Sequence, residues 1–478
     1  VSILDYFPKH LAPRQEQRDA LLKLEEMWDE FDVFVLNLPV SVGKSAIAIT
    51  ISNWLKGRSV ILTPSNILVE QYLKDYPQLH TIKRKDQYSC HSLMDQASCA
   101  DFSATKKFTC KNCPYKLAVA KKDFVKTSVA NYYTYLAYKM FRETLIIDEA
   151  HQLRGMVTDQ MSTKLWKFKY KYPYSLRSYD DLKKWVDRHP SLLKDKTLQL
   201  LKQELNQPTP RYLVEKGTDY YRGRQEEALL VKPIDTSAYS GLLWPTSKVR
   251  KLVLMSATIS NVDIHQLGLA KRRVITINSG SPIPPAQRPV FFDEETALQL
   301  SIHSKEEDYQ KLAAEIRRII ELHPNQKGFV HITYSLLNKV RPLLEGKSDR
   351  YIFHTKEDKL LKYQAYRQNQ KDAVLFACGL YEGVDLLEDM GRFQLITKVP
   401  WPSLAEPAIR WQAEANPSYY AWEATKVVIQ ATGRICRSPT DYGTTHILDR
   451  SFARLYVKNK EQFPQWFRDG LVMNERKV

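Results

Sequence analysis

The amino-acid sequence predicts an α/β protein built on parallel sheets, and three observations carry that reading. Residues 144–151 (TLIIDEAH) run from apolar β-formers into two adjacent carboxylates, as a buried parallel strand does when it delivers acids to the carboxyl edge of a sheet. Residues 33–45 (VFVLNLPVSVGKS) form a second apolar strand that enters a turn, and Gly43-Lys44-Ser45 then opens an apolar helix at 46–55. After a proline-rich turn at 281–289, the same alternation of short apolar strand, turn and helix returns and runs to the end of the sequence.

Composition bounds the class. The 478 residues allow two or three domains, and 43% apolar with 26% charged residues is a globular balance, not a disordered one. Lys and Arg outnumber Asp and Glu by 71 to 54, and a net charge of +17 suits a polyanionic partner. No apolar run is long enough to cross a bilayer, and the N-terminal residues lack the charged-then-apolar plan of a signal peptide. The expectation is a reducing cytoplasm, bacterial or that of a viral host, with the nucleus as an open alternative and with no membrane partner. Four of the six cysteines crowd into residues 90–113, which reads as a metal site and not as a disulfide framework.

Taken in order, the chain begins with a helical pattern at 20–28, just behind Arg14-Gln15-Glu16-Gln17. Placed ahead of a phosphate-binding loop, Gln17 is a candidate for reading an adenine edge. The loop itself offers backbone N–H groups at Val42 and Gly43, Lys44 for β/γ-phosphate charge and the Ser45 hydroxyl for Mg²⁺. Leu38 and Pro39 stand near the position of the first glycine such loops usually carry. Alone, Gly-Lys-Ser is a weak signal. With the acidic strand downstream, Asp148 becomes the Mg²⁺ carboxylate and Glu149 the group that orients and deprotonates the attacking water.

A strand at 59–62 ends in Thr63-Pro64-Ser65, hydroxyls suited to nucleic-acid phosphates or, at Ser65, to a helix N-cap. Residues 82–123 are a basic insertion bearing Cys90, Cys99, Cys110 and Cys113, spaced by eight, ten and two residues. Only one C-x-x-C knuckle is present, where a zinc ribbon has two, so an iron–sulfur cluster stands ahead of zinc on spacing, with both open. Residues 127–135 (TSVANYYTY) read as a strand and a helix start. Residues 152–247 are rich in Lys and aromatics. Trp166, Phe168, Tyr170 and Tyr172 alternate as in a half-buried strand, whose exposed face would be free to stack bases.

The sheet pattern resumes at 252–258 (LVLMSAT), where small hydroxyl residues are placed to link two sites. Past the hinge come strands at 328–332, 373–377, 393–399 and 445–448, and the stretch 430–437 (QATGRICR). Gln430, Arg434 and Arg437 sit at i, i+4 and i+7, a spacing that puts all three on one helical face. Two guanidinium groups there suit a γ-phosphate held by the first domain, so that hydrolysis depends on domain closure.

The ordered set LPVSVGKS, CKNCPY, VANYYTYL, LIIDEAHQL, VLMSATIS, SPIPPAQRPV, FVHITYSLLNKV, GLYEGVDL, KVPWP and QATGRICRSPTDYG resembles the iron–sulfur superfamily-two DNA helicases of the XPD/DinG kind over nearly the whole length. The loop LPVSVGKS departs from the family in lacking its usual Ser/Thr-Gly pair. The resemblance lifts an iron–sulfur cluster, [4Fe–4S], above zinc at the four cysteines. It implies two RecA-like parallel-sheet motor domains with ATP and Mg²⁺ between them: 1–81 with 124–151 and 248–280, and 281–478. The first would be interrupted by an iron–sulfur domain at 82–123 and a mainly helical, arch-like insertion at 152–247. It further implies Asp385 near the nucleotide, and Gln430, Arg434 and Arg437 completing the site from the second domain. The implied activity is ATP-driven, 5′-to-3′ movement of a monomeric motor along single-stranded DNA, unwinding forked or tailed duplex. Two other readings stand beside it: a helicase for RNA or RNA–DNA hybrid, and a catalytically weak, nucleotide-dependent DNA-binding protein.

Overall fold

A computed structural model of the chain describes residues 1–39, 42–56, 58–90, 98–100, 112–176, 178–190, 201–202, 212–221, 224–301, 303–369, 372–380 and 386–474. Cys110 and Asp385, expected to bind metal and nucleotide respectively, lie outside the described residues.

Strands β1 (Val33–Asn37), β2 (Ser59–Thr63), β3 (Thr127–Asn131) and β4 (Thr144–Asp148) enter the first sheet. The chain then makes β5 (Thr163–Trp166), β6 (Tyr212–Tyr221) and β7 (Arg224–Pro233) before returning with β8 (Lys251–Ser256) and β9 (Val274–Asn278). The first sheet has the order β3-β2-β4-β8-β1-β9, and every pairing in it is parallel. Both faces of such a sheet are covered, which is why its strands read as unbroken apolar runs. In β1, Val33 and Val35 enter the core on one face while Phe34 and Leu36 enter the core on the other. All five residues of β4 are buried, Asp148 among them.

The second lobe repeats the plan with β10 (Val290–Asp293), β11 (Gly328–His331), β12 (Tyr351–Ile352), β13 (Val374–Ala377), β14 (Phe393–Ile396), β15 (Thr444–Ile447) and β16 (Leu471–Asn474). Their order is β12-β13-β11-β14-β15-β10-β16, again parallel throughout. Gly328 lets two strands approach, because a Cβ there would stand 2.1 Å from the Phe393 ring.

Between β4 and β8 of the first lobe, β5, β7 and β6 form a small antiparallel sheet within the insertion. The described residues of that insertion therefore mix helices, at Leu153–Met161 and Tyr179–Arg188, with a sheet that the mainly helical expectation did not include. The expected aromatic strand also ends early. β5 stops at Trp166 and a one-turn helix, Lys167–Tyr170, follows, so Tyr170 and Tyr172 turn into the insertion's core while Phe168 faces solvent. At 65 the N-cap reading holds, since the Ser65 hydroxyl accepts from Leu68 N at 3.3 Å at the head of the helix Asn66–Asp75. Among the described residues no helix is long and apolar enough to cross a membrane.

Candidate nucleotide-binding site

Parallel order brings three turns to one edge of the first sheet, because β8 lies between β1 and β4. The turn after β1 leads into the helix Lys44–Trp54, with Gly43 as its N-cap at φ 86°. That conformation strains any side chain, and a Cβ would also stand 2.7 Å from Gln17 Nε2. Gln17 is buried against the loop. Its Nε2 donates to Gly43 O at 3.3 Å and its Oε1 accepts from Arg14 N at 2.9 Å, so in this state its amide braces the loop and the chain ahead of it. Val42 is wholly buried, and its N–H reaches Pro39 O at 3.4 Å. Ser45 is half-buried in the first helical turn.

The acids arrive from β4. Lys44 Nζ lies 2.7 Å from Glu149 Oε1, and His151 Nδ1 lies 3.3 Å from Glu149 Oε2. Glu149 occupies the left-handed region at φ 48°, a conformation that costs a non-glycine residue about 1 kcal/mol and persists only where surrounding contacts impose it. Asp148 accepts two hydrogen bonds, from Tyr72 OH at 3.0 Å and from Glu149 N at 3.0 Å. Tyr132 OH donates to the Asp148 carbonyl at 2.9 Å.

Charge divides the pair. Burial raises the Asp148 carboxyl above its ordinary range, aided by Glu149 and opposed by Lys44. Burial also acts upward on Glu149, but Lys44 and His151 outweigh it and hold that carboxyl well below the usual range. On Lys44 burial acts downward and is overcome by Glu149 and Asp148, so the ammonium is held charged. Burial pushes His151 down to about 4, and its ring is neutral at physiological pH.

From His151 a polar line crosses to the second lobe. His151 Nδ1 and Ser256 Oγ share a hydrogen bond at 2.9 Å, and Thr258 N donates to the same hydroxyl at 3.2 Å. Gln430 Nε2 then donates to Thr258 Oγ1 at 3.4 Å. Gln430 Oε1 is buried with no partner among the described residues, an acceptor left for a group that enters the site. The hydroxyls after β8 thus link DEAH to the second lobe.

The shared helical face expected for Gln430, Arg434 and Arg437 does not form. The helix Pro417–Thr432 ends before either arginine, Gly433 is its C-cap, and Cys436 turns the chain at φ 58°. Gln430 sits on the helix and both arginines on the loop beyond it. Asp441 pins that loop, accepting from Arg437 N at 2.8 Å and from Arg392 Nη1 at 2.7 Å. Even so, from the second lobe the field of Arg434 lowers the Glu149 carboxyl, and Arg437 acts on Lys44. With Lys44 balanced by Glu149, the half-buried Ser45 hydroxyl and the Asp148 carboxylate on hand, and Gln430 Oε1 open, the residues present fit a magnesium nucleotide.

At the insertion, Cys90, Cys99 and Cys113 are buried and in no disulfide. The sulfurs of Cys99 and Cys113 lie 3.7 Å apart, beside Tyr88 and Tyr115. Among the described residues no group of three or more ligating side chains is assembled for a metal ion.

Sequence reasoning missed Tyr72, Tyr132 and a cluster of charges flanking Gln430. No local signal marks a tyrosine inside an amphipathic helix as the partner of a carboxylate 76 residues away.

Comparison with known proteins bears on the two lobes. The helicase C-terminal domain family (Helicase_C_2) matches residues 316–470, and the family of the res subunit of type III restriction enzymes (ResIII) matches residues 10–176. Curated relatives include the "Regulator of telomere elongation helicase 1 homolog" of Drosophila grimshawi and of Drosophila melanogaster. Each is 31% identical over 124 residues, which are 23% of this chain and 12% of the relative. The match thus spans about an eighth of those relatives' length. Among solved structures, "XPD_Helicase" has a TM-score of 0.61 at 14% identity, with 97% of this chain and 100% of that chain covered. "Structure of S. tokodaii Xpd4" has a TM-score of 0.57 at 13% identity, with 97% and 100% covered. These likenesses bear on the fold.

Proposed function

We propose that this chain, an XPD/DinG-like superfamily-two helicase by its matched domains and its fold, hydrolyses ATP to travel 5′ to 3′ along single-stranded DNA and part forked or tailed duplex. One observation carries the reading most: Lys44 and Glu149 are paired at 2.7 Å, within the field of Arg434 and Arg437 from the other lobe. A phosphate chain offers Lys44 a denser negative partner than one carboxylate. When Lys44 turns to the β/γ-phosphates, Glu149 is released to orient water and accept its proton. Bound Mg²⁺ would neutralise phosphate charge, with Ser45 and Asp148 as its protein contacts. Arg434 and Arg437 would stabilise the charge of the transition state, and Gln430 would report the site's state through Thr258. Gln17, Val42, Gly43 and Asp385 complete the nucleotide contacts in this reading, Gln17 by exchanging its hold on Gly43 for the base.

The net charge of +17 supports a nucleic-acid track. Cys90, Cys99, Cys110 and Cys113 are proposed to hold a [4Fe–4S] cluster, supported by the buried, adjacent thiols of Cys99 and Cys113. Such thiols need a reducing compartment, the cytoplasm in this reading.

The test is ATP hydrolysis with and without single-stranded DNA, for the wild type and for Glu149→Gln. The reading expects strong stimulation by DNA and at least a hundredfold loss of rate in the variant, the order of magnitude for removing a catalytic base. Stimulation by RNA alone would replace the track, and undiminished hydrolysis by Glu149→Gln would remove the assigned base.

A further inference from the structure

We infer that the aromatic cluster of Trp166, Phe168 and Tyr221, where the end of β6 meets the short helix Lys167–Tyr170, is a base-stacking platform for single-stranded nucleic acid, separate from the nucleotide site. The inference rests on the proposed nucleic-acid track. Trp166, Phe168 and Tyr221 pack as a triad with ring centroids 5.1 to 6.4 Å apart. They are not part of the insertion's apolar core, which is built around Leu165, Leu229 and Val231. Phe168 is 48% exposed and Tyr221 36%, so the rings shield one another while their outer surfaces face water.

Register explains the gap that lets the rings meet. Trp166 lies opposite Ala228, which lies opposite Gly217, so the row across the sheet runs from a large side chain to two small ones. Tyr221 is four residues beyond Gly217 on the same face, and the indole has room to reach it, 5.2 Å away. β5 ends at Trp166 because the chain turns there into the helix Lys167–Tyr170, which brings Phe168 to 5.1 Å from Tyr221.

Charge identifies the occupant. Residues 163–178 contain five basic side chains and no carboxylate, and the hairpin residues 212–227 add three basic and four acidic side chains, so the region keeps an excess of positive charge. Lys167 Nζ stands 3.9 Å from the Tyr174 ring centroid and Lys216 Nζ 5.4 Å from it, and Tyr174 itself is 69% exposed. Exposed rings interleaved with ammonium groups match a strand whose bases present π-faces and whose backbone carries a charge at every step.

The experiment measures binding of the full chain to a fluorescein-labelled oligothymidylate of about 20 nucleotides, and quenching of a 2-aminopurine base within it. Phe168→Ala and Tyr221→Ala should each weaken binding about tenfold and relieve quenching. Phe168→Tyr and Tyr221→Phe, which keep the rings, should behave as wild type. Hydrolysis of ATP without nucleic acid should be unchanged in all four, which also checks folding. Wild-type affinity and quenching in the alanine variants would overturn the platform and assign the patch to a protein partner. Equal loss in the ring-keeping variants would overturn stacking. Failure of the wild type to bind any single strand, while it still hydrolyses ATP, would overturn the platform and the track but leave the nucleotide site standing.

Discussion

Arg154 and Glu423 meet at 3.1 Å across the seam between the lobes, although 269 residues separate them in sequence. The guanidinium also lies over the Tyr419 ring, 4.4 Å from its centroid. Lys426 Nζ is 2.8 Å from the same Glu423 oxygen and 3.7 Å from Asp263, whose other oxygen accepts from Trp422 Nε1 at 2.8 Å. Two cations thus face two carboxylates in a largely buried cluster. Its elements are the helix after DEAH, the helix after the Ser256–Thr258 turn, and the helix that carries Gln430. Glu423 and Lys426 precede Gln430 by seven and four residues, on the same helical face.

The cluster therefore fixes where Gln430 meets Thr258. Removing one member strands the rest, so Arg154→Ala or Glu423→Gln should each destabilise the chain by about 2 kcal/mol in chemical denaturation. The double variant should cost about 1–2 kcal/mol less than their sum, the mark of a direct contact. Hydrolysis should fall in the single variants while nucleotide binding, proposed to depend on Lys44, persists. Strict additivity would mean that the two groups do not act on one another.

A second expectation concerns Tyr72. Its hydroxyl is the side-chain donor to Asp148 Oδ2, and the ring is buried. Tyr72→Phe keeps the packing and deletes one hydrogen bond to a charged acceptor, worth about 1.5 kcal/mol or more. The Mg²⁺ concentration needed for half-maximal hydrolysis should then rise roughly tenfold, and binding of Mn²⁺ followed by electron paramagnetic resonance should weaken in step. An unaltered metal requirement would show that Tyr72 contributes packing only.

How much of this was legible in the sequence follows from what kind of order each part has. The sheets were readable because both faces are buried, so β1, β2, β4, β8 and β11 appear as apolar runs whose ends hold the site's turns. Lys44, Ser45, Asp148 and Glu149 converge because those turns share one sheet edge, a consequence of parallel order. The arginine loop was misread because i, i+4, i+7 spacing presupposes a continuing helix. Gly433, between Gln430 and Arg434, was the available stop signal. The Arg154–Glu423 contact had no local signature, since only the folded lobes bring those residues together. In the insertion, alternation from Trp166 to Tyr172 resembled a strand, but β5 ends after four residues and a helical turn follows, which buries Tyr170 and Tyr172 in the insertion's core.

The split between the two carboxyls sets a pH expectation. Asp148 lies above its ordinary range because of burial, while Glu149, beside Lys44, lies below its own. As pH falls, Asp148 protonates first and gives up its claim on Mg²⁺, whereas Glu149 stays ionised. His151, pushed down to about 4 by burial, is already neutral through this window and adds nothing to it. The acid limb of hydrolysis should therefore reflect competition between proton and metal. It should move to lower pH by about one unit for each tenfold rise in Mg²⁺ until another group limits. A limb that ignores Mg²⁺ would exclude Asp148 as its source.

The last expectation concerns the cysteines. Cys113 is the N-cap of the helix Pro114–Lys121, and its sulfur touches that of Cys99. A separation of 3.7 Å is also what two thiolates on one tetrahedral zinc would have, given Zn–S bonds of about 2.3 Å, so distance does not choose the metal. The number of ions does. Protein purified without air should carry about four irons per chain if the thiolates hold a cubane, and one zinc would overturn that assignment. If the proposed cluster staples the insertion, Cys113→Ser should lose visible absorbance and open the 82–123 segment to protease, since few apolar residues are buried there among the described ones. ATP binding should survive, since Lys44 and Asp148 draw their support from β1 and β4. Unwinding that persists in Cys113→Ser without bound iron would make the cluster dispensable for movement.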